Sequence, residues 1–157
     1  MRFRSRFPVV ASGVACAVLM GCSEQGTKSV TAETTADPRT AVELPAEAQQ
    51  AVLKEMRQML GAMGGAMAAA AKGDTAALLL ALAPAGSAAA ADPAIEALLP
   101  PGWLELAERT HGGFDNLAAS VRQSRDAKML KDTVLVKLAV LSGACASCHE
   151  TFRVTVR

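Results

Sequence analysis

Aromatic side chains are scarce in this 157-residue chain: one tryptophan, four phenylalanines and no tyrosine. Phe3 and Phe7 stand near the N-terminus, which leaves Trp103, Phe114 and Phe152 for the remainder. An excess of positive charge is missing too, with 16 Lys and Arg against 15 Asp and Glu. Nucleic-acid binding needs a concentrated basic face, so no nucleic-acid partner is expected. Metal-ligating residues are few: two histidines and four cysteines. No acid–base pair, nucleophile triad or phosphate-binding loop is present, and Glu105, Glu108 and Asp115 read as a solvated helix face. The chain is therefore not expected to be a hydrolase or transferase.

What is present begins with "MRFRSRFPVVASGVACAVLMGCSEQG". Arg2, Arg4 and Arg6 precede an uncharged, mostly apolar stretch from Phe7 to Met20. That length suits a signal-peptide core and is short for a membrane span. Leu19-Met20-Gly21-Cys22 resembles a lipobox, the cleavage and acylation signal of bacterial lipoproteins. Residues 1–21 are thus expected to be a lipoprotein-type signal peptide, with Cys22 lipidated and the protein anchored to a membrane facing the periplasm. Ordinary signal-peptidase cleavage, giving a soluble periplasmic protein, is the alternative. Cleavage leaves 13 basic and 15 acidic residues. Residues 22–44 are polar, threonine-rich and without helical periodicity, and read as a flexible linker.

From residue 45 the character is helical. "PAEAQQAVLKEMRQMLGAMGGAMAAAAKGD" predicts a first helix of about 40 Å, stopped by Gly73, with Asp74 as N-cap of the next. Gly61, Gly64 and Gly65 weaken it unless another body packs closely there. A second helix runs to Pro84. Asp92-Pro93 starts a short turn. A third helix follows Pro100-Pro101-Gly102, with Gly112-Gly113 in its middle. Asp126 caps a fourth, expected to run through Val156, with Leu130, Val134, Leu138 and Leu141 on one face. The expected fold is all-α, an antiparallel four-helix bundle over residues 45–157. With three aromatics and many alanines its core is under-filled, as though a planar cofactor occupied part of it.

The fourth helix ends in "SGACASCHETFR". Cys16 leaves with the signal and Cys22 is spent on lipid, so Cys145 and Cys148 are the remaining thiols. Zinc would need more N or S ligands than His149 and His111 supply. A redox dithiol belongs at the start of a helix near a βαβ unit, whereas this motif closes one. Cys-x-x-Cys-His is the attachment signature of c-type haem. Two thiols at i and i+3 can form thioethers with the two haem vinyl groups, and His149 can bind the iron from the same side. A chance cysteine pair beside a surface histidine is the competing reading.

The chain resembles the class II c-type cytochromes, the cytochrome c-prime type, over residues 45–157. The resemblance rests on the Met-rich first helix, the third-helix entry "LPPGWLELAERTHGGFDNLA" and the ending "CASCHETFR". It implies that Cys145 and Cys148 hold one haem c and that His149 is the proximal ligand. Arg153 would face a propionate, or stand as a solvated cation at a helix C-terminus. It also implies a distal residue on the first helix and a possible homodimer. Met56, Met59, Met63 and Met67 share a face there, either as core filling or beside the iron. Met56 is the first candidate for the sixth ligand and Met59 the alternative. His111 is a further possible ligand or a hydrogen-bonded helix residue. Phe114, three residues on, is expected to pack against the porphyrin, and Trp103 to plug the end of the bundle. With a Met ligand the haem would carry single electrons between redox partner proteins. The alternatives are a five-coordinate protein that binds NO or CO, and a haem-free helical lipoprotein.

Overall fold

The computed structural model describes residues 36–90 and 92–157. The expected signal peptide, Cys22 and most of the expected linker lie outside them. The folded unit begins at Asp37, earlier than residue 45, because five linker residues are structured.

Those five residues, Thr40–Leu44, form strand β1. Helix α1 follows, Ala46–Lys72. It ends where its sequence dictates. Gly73 adopts φ 70°, and its N–H turns back to the carbonyls of Ala69 and Ala70, a left-handed cap that suits glycine. Asp74 accepts a hydrogen bond from Ala77 N at 2.9 Å and so starts α2, Thr75–Leu82. Two 3-10 turns, Ala83–Ala85 and Ser87–Ala89, lead to α3, Pro93–Glu96, capped by Asp92. The two long helices α4, Pro101–Gln123, and α5, Ala127–Thr151, complete the helical part. Gly112 and Gly113 sit inside α4 without breaking it. Among the described residues, no helix is long and apolar enough to cross a membrane.

The chain is mostly helical, consistent with the all-α expectation, and carries one small two-stranded sheet. Helix α5 stops at Thr151 rather than running through Val156, and Phe152–Val156 form strand β2. The reason is local and non-local together. Phe-Arg-Val-Thr-Val is rich in β-branched and aromatic residues, and β1 offers a partner. The strands pair in parallel, with Thr40 opposite Phe152, Val42 opposite Val154 and Leu44 opposite Val156. Val42 and Leu44 face inward and are buried.

Helix α1 packs against α2 and α5, and α4 packs against α5 and α2. Two apolar clusters result. One joins Ala62, Ala66, Leu78, Leu82, Phe114, Leu117, Val134, Leu138 and Leu141 from α1, α2, α4 and α5. The other, at the strand end, joins Val42, Leu44, Ala48, Val52 and Trp103, with Met56, Cys148 and Phe152 packed on it.

Small residues set two helix contacts. A Cβ on Gly113 would stand 2.6 Å from Leu141 Cδ2, so α4 and α5 meet where a side chain is missing. A Cβ on Gly65 would stand 2.9 Å from Ala81 Cβ, while Gly61 has open space around it. The close packing expected along the first helix is thus met at Gly65 and not at Gly61. Gly61→Ala is expected to stabilise the chain by about 0.5–1 kcal/mol through helix propensity. At Gly65 the clash offsets that gain, and Gly65→Ala is expected to be neutral or destabilising. Urea unfolding of the two variants checks the contrast.

Candidate functional site

The last two turns of α5 carry Cys145, Cys148 and His149 on the rim of a cleft of about 780 Å³. Volumes of ~300–1,000 Å³ are typical of cofactor and ligand sites. Helix α1 supplies one wall with Val52, Met56, Met59 and Met63, and α4 supplies another with Trp103, Ala107, Thr110 and His111. The walls are predominantly apolar side chains. Three of the four methionines on the α1 face therefore open on the space that the cysteine pair borders. Met67 does not line it and is exposed.

The methionines are not equivalent. Met56 packs on the same apolar cluster as Cys148, Trp103 and Phe152, whereas Met59 and Met63 pack against the other cluster. Met56 is thus the half-buried methionine that shares an apolar cluster with Cys148. Sulfur side chains adapt to such irregular spaces and can serve as soft ligands.

Both thiols are free and half-buried. Burial pushes the Cys145 thiol up from its ordinary range. It does the same at Cys148, where Cys145 adds to the effect. Reactive redox cysteines show the opposite shift, toward thiolate. Among the described residues, no three His, Cys, Asp or Glu side chains gather to hold a metal ion by themselves.

His111 is buried, and its two ring nitrogens face different partners. Nδ1 lies 2.8 Å from the carbonyl oxygen of Ala85 and must donate to it, since a carbonyl only accepts. Nε2 lies 2.9 Å from Glu55 Oε1 on α1. Among the described residues that buried oxygen has no hydrogen bond beyond this contact. The carboxylate favours the imidazolium and raises the His111 pKa above its ordinary value, against burial, with smaller help from Ala85 and Asp115. The ring thus links α4 to α1 and to the turn after α2, instead of standing free as a ligand. The charged histidine is favoured in the folded state. Its contribution is fully present below the unfolded pKa of about 6.5 and is lost as pH rises through the higher folded value. Wild type is therefore expected to lose stability relative to His111→Gln as pH rises above neutrality, measured by urea unfolding across that range.

Two expected site residues lie elsewhere. Phe114 does not line the cleft; it is fully buried in the larger core cluster with Leu117 and Val134. Three residues along a helix turn the side chain by about 60° and move it about 4.5 Å along the axis. That is enough to carry it from the cleft side, where His111 stands, into the core. Arg153 stands on β2, outside the cleft lining, with Nε 3.9 Å from Asp37 Oδ2. Trp103 is buried in the strand-end cluster, tilted against Phe152 with ring centroids 5.6 Å apart, and it also lines the cleft.

The residues present fit a c-type haem. Thiols one helical turn apart sit at the rim, an imidazole follows the second, the walls are apolar, and methionines stand on the wall that α1 supplies. No protein-family model, curated protein or solved structure matches the chain.

Proposed function

We propose that the chain is a c-type haem protein that carries single electrons, built as a four-helix bundle of the class II cytochrome kind. The observation that supports this most directly is the shared cleft. Cys145, Cys148 and His149 on α5 line the same space as Met56, Met59 and Met63 on α1. Cys145 and Cys148 would hold the haem covalently, His149 would bind the iron, and Met56 would be the sixth ligand. When bound, the haem supplies a one-electron Fe(III)/Fe(II) couple, and a His/Met ligand pair raises its potential.

The chain's own residues do the rest. Val52, Trp103 and Ala107 give the cleft apolar lining, which would limit water around the haem. Covalent attachment through Cys145 and Cys148 would fix the register of the group against α5. The Glu55–His111 pair ties α1 to α4, and so holds the turn on which Met56 sits. Periplasmic location, membrane anchoring through Cys22, redox protein partners and pairing of two bundles belong to the same proposal and rest on the sequence.

The test is a spectrum of the chain produced together with a c-type haem maturation system. A low-spin ferric protein with the charge-transfer band of Met ligation is expected. Met56→Ala should abolish that band and give high-spin iron, while Met59→Ala should leave it in place. High-spin iron already in the wild type, binding CO without displacing a ligand, would instead make this a gas-binding protein. A colourless chain would leave the haem-free helical lipoprotein.

A further inference from the structure

The strand that precedes the first helix reaches the end of the helix that carries the cysteine motif. Arg39, immediately before β1, donates from Nη1 to the backbone carbonyl of His149 at 3.2 Å. The other side of the guanidinium is held by Asp37, with Nη2 and Nε at 2.6 and 3.0 Å from its carboxylate oxygens. Asp37 also accepts the backbone N–H of Arg39 at 3.1 Å. These bonds to Arg39 hold the Asp37 carboxyl at about 2, well below the usual carboxylate range. The carbonyl of His149 is among the last four of α5, which have no partner within the helix. A cation placed there also meets the negative end of the helix dipole.

The strand register delivers the arginine to this place. Thr40, next to Arg39, pairs with Phe152, the first residue after α5. Phe152 N in turn donates to Cys148 O. Asp37 is also approached by Arg153 Nε from β2 at 3.9 Å. The backbone of the cysteine–histidine turn is therefore fastened from outside the helix, by a segment whose sequence shows no haem-related motif.

Resting on the haem reading above, we propose that Arg39, oriented by Asp37, is a positioning residue for His149. It fixes the backbone from which the proximal imidazole projects and couples the N-terminal strand to the iron site. Groups outside the ligand set that fix a ligand's orientation tune metal centres in the same manner.

Arg39→Ala, Arg39→Lys and Asp37→Asn test this with two readouts. In the chain without haem, hydrogen exchange at the amides of residues 149–156 is expected to quicken several-fold in Arg39→Ala and less in Arg39→Lys. In the haem-loaded protein, the ferric g-values and the hyperfine-shifted ring protons of His149 are expected to move in Arg39→Ala. They should move partway in Asp37→Asn and return toward wild type in Arg39→Lys. Faster exchange with unchanged iron signals would reduce Arg39 to a structural clamp and overturn the proposal, and unchanged exchange would overturn it as well. If haem is bound throughout, either result leaves the haem reading standing. A wild-type chain that takes no haem would remove both.

Discussion

A chain in which Cys145 and Cys148 are both alanine is expected to yield no haem that survives denaturation and acid–acetone extraction. Each single variant should retain haem through the remaining thioether in lower yield. The expectation follows from the arithmetic of attachment: the chain's other two cysteines, Cys16 and Cys22, fall in the expected signal peptide and lipidation site, far in sequence from His149, so neither is expected to substitute. The same double variant should remain folded. Both thiols are free and only half-buried, and replacing each is expected to cost about 1 kcal/mol. Loss of pigment with retained helicity, followed by circular dichroism beside the extracted absorbance, would assign the two cysteines to the cofactor rather than to the core. Equal haem content in the double variant would contradict that assignment.

The largest effect on stability is expected at Phe114. It has no exposed surface and lies among Ala66, Leu78, Leu117, Val134 and Leu138, where all four long and middle-length helices meet. Few large side chains share the task of filling this core, since the buried positions around it are mostly alanine, valine and leucine. Phe114→Ala is expected to destabilise the chain by about 3–5 kcal/mol, a large part of the ~5–15 kcal/mol that holds a typical domain together. Denaturant unfolding of the chain without haem measures it. In the haem-loaded protein the absorption maxima should stay in place, because Phe114 does not line the cleft. A loss below about 1 kcal/mol with a shifted spectrum would return Phe114 to the porphyrin face.

What the sequence made legible was local. Gly73-Asp74, Asp92-Pro93 and Asp126 mark helix boundaries through backbone and capping chemistry confined to four or five residues. The Cys-Ala-Ser-Cys-His run is equally local, and so is the 3-4-4 spacing that puts the methionines on one face of α1. The misses all needed a partner far along the chain. Thr40–Leu44 alternates weakly and is only five residues long; what makes it a strand is Phe152–Val156, more than a hundred residues away. Without that partner the final residues read as more helix. Glu55 and His111 look like ordinary helix residues until α1 and α4 are brought together. Phe114 lies in the core cluster outside the cleft lining, and its distance from His111 in sequence says nothing about where the cleft wall ends and the core begins. The choice between Met56 and Met59 likewise depends on which apolar cluster each one meets.

The proposed function requires one haem bound covalently through Cys145 and Cys148. The intact mass of the purified chain, produced with haem maturation machinery and measured under denaturing conditions, tests it most directly. A single species is expected, heavier than the processed polypeptide by the mass of one haem, and by any lipid carried on Cys22. A polypeptide with both thiols unmodified under those conditions would contradict it.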